Sequence, residues 1–289
     1  MATRERITFS SLPFLCGVEA VAGQDVSNTF ESHSHTTAVV GMVDVGVRVI
    51  AHGHGESRIL RGGLFFLNPG QVHACASGEE GAHSYRLLSV DPAVLARVAS
   101  EISEKSVSGV WFGCVHATHD TISRDFGRFF RMLSDPLAPA LDKESLLYGL
   151  LSEIILSFAQ DPPEVCAVGR QDAAMARVRD HIRTHHAEPL TLATLSAVAC
   201  LSPFHLQRLF TRRYGMSPHR YLTHRRVAEA RGLLSDGAGI AEAALAVGFS
   251  DQSHLTYHFK RVVGTTPGRF VQDNLLTYEC AAKPETFYD

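Results

Sequence analysis

The chain has a single tryptophan, no Cys-x-x-Cys pair, and no apolar run approaching the roughly 18 residues that a membrane-spanning helix needs. Its six cysteines (Cys16, Cys75, Cys114, Cys166, Cys200 and Cys280) are scattered, which excludes a zinc ribbon or a disulfide framework and predicts a reducing, cytoplasmic setting. The opening stretch "MATRERITFSSLPFLCG" holds a short apolar patch without an h-region or cleavage pattern, so no secretory leader is expected. There is no G-x-S-x-G elbow, no Walker loop and no G-x-G-x-x-G after a strand, which removes the usual footholds for nucleophilic, phosphoryl-transfer and dinucleotide chemistry.

What is present is divided. The 289 residues suffice for two ordinary domains, and 45% apolar content is normal for packed cores. The net charge of −3 conceals a polarity: residues 170–275 hold 14 Lys/Arg against 8 Asp/Glu, a balance of +6, and the rest of the chain carries −9. Nearly all these cations are arginines, whose planar fork suits phosphates and guanine edges, although an arginine-rich helix can equally be a solvated face.

Residues 1–90 read as strands and turns. "AVVGMVDVGVRVIAHG" alternates β-branched with small or polar residues, and "LRGGLFFLNPGQVHAC" ends a strand in a Pro-Gly turn. From about residue 118 the period becomes helical. Ile122, Phe126, Phe129, Phe130 and Leu133 form one stripe; Leu146, Leu147, Leu150, Leu151, Ile154, Ile155 and Phe158 form a wider one, suited either to a domain core or to pairing with a second copy. The Pro/Gly-containing, acidic stretch 160–172 reads as a linker, and helical patterning follows it.

Within the basic region a segment recurs. "LATLSAVACLSPFHLQRLFTRRYGMSP" (Leu192–Pro218) shares its frame with "IAEAALAVGFSDQSHLTYHFKRVVGTTP" (Ile240–Pro267). Cys200–Ser202 match Gly248–Ser250 at an offset of 48, and Leu206, Phe210, Arg212, Gly215 and Pro218 match Leu255, Phe259, Arg261, Gly264 and Pro267 at 49. Each copy predicts a helix–turn–helix: a short helix (Leu192–Ala199, Ile240–Val247), a tight turn, and a second helix capped by Ser202 or Ser250 and ended by Gly215 or Gly264. Leu206, Leu209, Phe210, Leu255 and Phe259 are expected in the core. His205, Gln207, Arg208 and Arg212 in copy one, and Gln252, Ser253, Thr256, Tyr257 and Lys260 in copy two, are expected on exposed faces with the hydrogen-bonding chemistry that base readout needs. A long helix (about Ser217–Ser235) spaces the two units.

"LSPFHLQRLFTRRYGMSPHRYLTHRRVAEARGLL" followed by "IAEAALAVGFSDQSHLTYHFKRVVGTTPGRF" resembles the DNA-binding domain of AraC/XylS-type transcription regulators over about 100 residues, from near Gln171 to near Asn274. The resemblance implies that Phe204, Gln207 and Arg208 face bases in the first copy, that Gln252, Ser253, Thr256 and Tyr257 do so in the second, and that Arg212, Lys260 and Arg261 hold phosphates. Cys200 departs from the glycine usual at the first turn, and Tyr257 stands where arginine is frequent.

The front half resembles the cupin-like sensor found before this module in many members, through the H-x-H strand (His33, His35) and the spacing Gly63, Pro69, Gly70, His73. In metal-binding cupins these three histidines act with a carboxylate four or five residues after the second; Val39 and Val40 stand there instead. No metal or other cofactor is therefore assigned, although zinc can accept three protein ligands and water, which keeps His33, His35 and His73 open as candidates. His33, His35, Arg48, Phe65 and His73 are the expected ligand-binding residues; His52, His54, His83, His116 and His119 are read as surface or loop positions.

The expectation is an α+β protein: residues 1–165 a cupin-like barrel with dimerisation helices, 166–275 an all-α DNA-binding domain with helix–turn–helix units at about 191–214 and 239–263, and 276–289 a C-terminal tail. Its expected function is regulation of transcription without catalysis, through promoter DNA, with a small-molecule effector, a homodimer and contact with RNA polymerase, and activation as the outcome. Two alternatives stay open: a metal-dependent cupin enzyme with a DNA-binding tail, and a constitutive DNA-binding protein whose front half only dimerises.

Overall fold

The structure is a computed structural model, and it describes residues 5–12, 15–79, 81–165 and 171–272. The tail at 276–289, Cys166 and Cys280 lie outside the described residues, as does part of the 160–172 stretch. Packing divides the chain into two compact units, the first holding the residues up to Gly169 and the second most of those after it.

The first unit opens with β1 (Arg6–Ser11), β2 (Val18–Val26), β3 (Phe30–His33), β4 (Ala38–Val45), β5 (Arg48–His52), β6 (Gly55–Ile59), β7 (Leu64–Leu67), β8 (His73–Ser77) and β9 (His83–Val90). Helix α1 (Pro92–Ser103), the two-residue β10 (His116–Ala117), α2 (Asp120–Leu133) and α3 (Ala140–Phe158) follow. The strands form two antiparallel sheets, one ordered β1-β2-β9-β4-β7-β10 and the other β3-β8-β5-β6. Val39, Val43, Phe65, Leu67 and Tyr85 of the first sheet pack against Ile50, Ile59 and Cys75 of the second, closing a small double-sheet barrel.

Strand β4 explains the near-continuous apolar run "AVVGMV". Val39 and Val43 point into the barrel, while Val40 and Met42 pack beneath α1, α2 and α3, so both faces are buried. Gly41, between them, is covered by the ring of Phe65 from β7, its register partner; a Cβ there would stand 2.0 Å from that ring. Helix α1 starts at Asp91, whose carboxylate accepts from Ala93 N–H, with Pro92 at the first helical position.

The wide stripe of α3 is used inside this unit. Leu147, Leu150, Leu151, Ile154 and Ile155 are buried in the same core as Phe126 and Phe129 of α2 and Leu95 and Ile102 of α1. Of the two uses open to that stripe, these residues serve the core of this unit, while Leu146, Leu156 and Phe158 are half-buried at its margin.

The second unit is helical: α4 (Asp172–Thr184), α5 (Leu192–Ala199), α6 (Pro203–Tyr214), α7 (Pro218–Ser235), α8 (Ile240–Ala246) and α9 (Gln252–Val263). Helix α7 is capped by Ser217, whose hydroxyl accepts from Arg220 N–H, and its 18 residues span about 27 Å. Val227, Ala230 and Leu234 of α7 pack with Ala243, Ala244, Leu255 and Phe259 of α8 and α9. Arg226 is buried; its Nε donates to His186 O (2.6 Å) and its Nη2 to Glu188 O (2.8 Å), fixing the 186–188 segment on α7. This arginine therefore leaves the pool of cations open to a phosphate. No described helix is long and apolar enough to cross a membrane.

Candidate functional site

Both copies of the repeat fold as helix–turn–helix units, and their turns share one conformation. Cys200 lies in the left-handed region (φ 54°, ψ 43°) at the end of α5, and Gly248 lies there after α8 (φ 89°). The departure at Cys200 thus leaves the turn intact, at the cost of holding a side chain where glycine is favoured. Ser202 Oγ accepts from His205 N–H (3.3 Å) and caps α6. In copy two the cap is Asp251, not Ser250: its carboxylate accepts from His254 N–H (2.8 Å), which holds the Asp251 carboxyl below its ordinary range. The inserted residue lies before the cap, so Ser202 corresponds to Asp251, and Ser250 bonds to Asp251 and His254 instead.

Leu206, Leu209, Phe210, Leu255 and Phe259 are buried as expected. Arg208 and Arg212 on α6, and Gln252, Ser253, Tyr257, Lys260 and Arg261 on α9, are exposed; Phe204, Gln207 and Thr256 are half-buried. Tyr257 Oη accepts from Arg261 Nη1 (2.8 Å), and the guanidinium also lies over the ring, so the two form one surface pair. The Thr256 hydroxyl donates back to Gln252 O, which leaves its methyl as the outward group. His205 does not belong to the exposed face. It is 1% exposed, folded beside Ser202 one turn before Leu209, and His254 is buried at the matching place in copy two. The signal was available, since the 49-residue offset aligns these two histidines.

In the first unit His33 and His73 are register partners on β3 and β8, and His35 follows just beyond β3. The Pro69-Gly70 turn fixes that end: Gly70 adopts φ 75° and its N–H donates to His35 O (2.7 Å). The three imidazoles converge, with ring centroids 4.4–5.1 Å apart and one nitrogen of each within 4.8 Å of the others. Burial, reinforced by the neighbouring rings, holds His35 and His73 below the usual histidine range. Val39 and Val40, at the positions where metal-binding cupins carry the acidic ligand, are core residues of β4.

Arg48 and Phe65, two of the expected ligand-binding residues, lie buried inside the barrel, because β5 and β7 turn them toward the facing sheet. Arg48 is 5% exposed, with its guanidinium 4.1 Å from the ring centroid of Tyr85 and flanked by Phe65 and Phe30. Its Nη1 donates to His83 Nε2 (2.8 Å), and His83 Nδ1–H donates to Ser77 Oγ (2.9 Å), whose hydroxyl donates to Val26 O. His83, read from sequence as a surface residue, is buried; the clue was the inward alternation of His83 and Tyr85 along "HSYRLL". Burial and then the Arg48 charge lower its pKa to about 4.

That shift gives a pH dependence. Unfolded His83 takes a proton below about pH 6.5, whereas the folded ring resists until about pH 4. Stability is complete above the unfolded value and falls as the pH drops between those limits. Denaturant melts of full chain and His83→Gln at pH 7 and pH 4.5 should show an excess loss of about 1–3 kcal/mol in the chain that keeps the histidine.

Comparison with known proteins agrees with this division. Residues 15–151 match the family described as the AraC-like ligand binding domain, and residues 195–273 match the helix-turn-helix domain family. The chain is 30% identical over 238 residues to the uncharacterized HTH-type transcriptional regulator YbfI of Bacillus subtilis, covering 82% of this chain and 86% of that protein. It is 30% identical over 138 residues to the HTH-type transcriptional regulator ExsA of Pseudomonas aeruginosa, covering 46% of this chain and 49% of that one. A probable AraC family transcriptional regulator from Rhodopseudomonas palustris, solved as a crystal structure, aligns with a TM-score of 0.33 at 30% identity over 35% of this chain and 97% of that one.

A ligand-binding β domain in the same chain as two helix–turn–helix units defines a one-component, DNA-binding transcription regulator. The chain belongs to the AraC family.

Proposed function

We propose that the protein is a ligand-responsive activator whose two helix–turn–helix units read adjacent major grooves of promoter DNA. The observation that carries this is the pair of framed helices, α6 and α9, each with a buried apolar side and an exposed side of hydrogen-bonding and cationic groups. Phe204, Gln207 and Arg208, with Gln252, Ser253, Thr256 and Tyr257, face bases; Arg212, Lys260 and Arg261 take phosphates. Residues 1–165 form the sensor and 166–275 the reader. An effector acts by binding the DNA-competent and incompetent states with unequal affinity. The protein works as a cytoplasmic homodimer, contacts RNA polymerase, and catalyses no reaction.

The test is binding of the purified chain to promoter fragments selected from its own genome, with scrambled DNA as reference, across a salt series. Arg208→Ala should weaken specific binding by about 1–3 kcal/mol, 5- to 150-fold, and relax preference at one base. Lys260→Ala should weaken all sequences alike and lower the salt slope by about 1. Equal losses on specific and scrambled DNA for Arg208→Ala would remove it from the base-reading set.

A further inference from the structure

We propose that the outer face of the six-stranded sheet carries a binding site for a small zwitterion, the ammonium and carboxylate pair of a free amino acid, separate from the barrel interior. A cavity of about 680 Å3 opens there, where β2, β9 and β4 run past the C-terminal end of α2. That size lies within the roughly 300–1,000 Å3 of small-molecule sites. The sheet is deformed at this point on both sides of β9. Gly23 and Val43 both pair with Tyr85, yet the next pairs are Val26 with His83 and Val45 with Ser84. Extra residues are therefore looped out of both neighbouring strands, and each loop carries an aspartate, Asp25 in β2 and Asp44 in β4. Asp25 adopts φ 51°, in the left-handed region, where its N–H donates to Ser84 Oγ (3.0 Å). Bulges that re-aim a side chain, and non-glycine residues held left-handed, gather at ligand sites.

The charges on the cavity wall select the ligand. Arg86 of β9 donates through Nε and Nη2 to the two Asp44 carboxylate oxygens and through Nη1 to Gly127 O (3.2 Å), so these two residues satisfy each other. Arg131 of α2 and Asp25 of β2 also line the cavity, and neither charged group has a hydrogen bond or ion pair among the described residues. A Cβ at Gly127 would stand 3.5 Å from Arg131 Nη1 and 3.7 Å from Arg86 Nη2, so the Arg131 head folds back over that bare glycine toward Arg86. Two guanidiniums with one carboxylate leave a positive end at the helix, and Asp25 leaves a negative one at the sheet. Ala22, Phe130 and Val45 (57% exposed) supply the apolar wall. A plain anion would meet Asp25 unpaired and a plain cation would meet Arg131; a ligand carrying both signs answers both, each through charge-assisted hydrogen bonds. The site needs only the fold of the first unit, so a chain that failed to bind DNA would still take the ligand.

The full-length protein is melted with each standard amino acid at about 5 mM, and each one that stabilises it is titrated calorimetrically beside its N-acetyl and its amide derivative, which lack one charge each. We expect at least one amino acid to raise the melting temperature of the first unit, and both of its derivatives to bind more than about 10-fold more weakly. Asp25→Asn keeps a residue that tolerates the left-handed region, and Arg131→Gln alters an exposed helix position. Each should melt as wild type without ligand and weaken binding more than about 10-fold. Arg128→Gln, exposed on α2 but outside the cavity, should bind as wild type. No stabilisation by any of the amino acids, a derivative that binds as well as its parent, unchanged affinity in both Asp25→Asn and Arg131→Gln, or an equal loss in Arg128→Gln would overturn the site.

Discussion

Gly248→Ala should lower the stability of the second unit by about 3–5 kcal/mol and abolish specific DNA binding, while the first unit melts as before. Two costs combine. At φ 89° an added Cβ enters the left-handed region, worth about 1–2 kcal/mol. It would also stand 2.5 Å from Ala187 O, 2.9 Å from its carbonyl carbon and 3.0 Å from its Cα. Those are backbone atoms, and the bonds from Arg226 to His186 O and Glu188 O hold them in place. Relief by a side-chain rotation is therefore unavailable. For a unit of roughly 100 residues the loss corresponds to a fall in its melting temperature on the order of 15 °C. Cys200 is the internal control: the same place in copy one, the same conformation, but a side chain already in residence. Cys200→Gly should change stability by less than about 1 kcal/mol, in the stabilising direction. A melt in which Gly248→Ala matches wild type would show that the 186–188 segment yields.

The same turn shows how far the sequence could be read. The repeat frame located α5, α6, α7 and α9, because Gly or Cys at the turn, a capping oxygen, an apolar pair and a closing Gly recur at fixed spacing, and each feature constrains the others. The frame left one residue of slack, enough to put the cap on Ser250 instead of Asp251. Helix α1 has only the Asp91-Pro92 cap to mark its start, since the strand pattern before it and the loop after it set no clear boundary. The three-histidine cluster was legible, as H-x-H and P-G-x-x-H are local signals. The interior was not: Arg48 joins Cys75, His83 and Tyr85 through sheet pairing across dozens of residues, and a single sequence carries no sign of which strands become neighbours.

That interior supplies the second large effect. Arg48→Ala should destabilise the first unit by about 3 kcal/mol, whereas Arg48→Met should leave it within about 1 kcal/mol of wild type. The guanidinium is buried with no carboxylate in salt-bridge range among the described residues, and its Nε has no hydrogen-bond partner. Desolvating it costs several kcal/mol, offset by the faces of Tyr85, Phe65 and Phe30 and by the bond to His83. Alanine removes the stem as well as the charge and leaves a void between three rings. Methionine keeps an unbranched stem and a polarizable end against those rings while removing the desolvation cost. His83 reports the change independently. Burial is the larger cause of its low pKa and the Arg48 charge the next, so without Arg48 the pKa should rise part of the way from about 4 toward its ordinary value. The folded and unfolded values then lie closer, and Arg48→Met should lose less stability than wild type between pH 7 and pH 4.5. Imidazole NMR titration gives the pKa directly, and denaturant melts at the two pH values give the linked free energy. If Arg48→Met were as unstable as Arg48→Ala, the cation itself would be a net contributor to the barrel, and the aromatic cage would outweigh its burial.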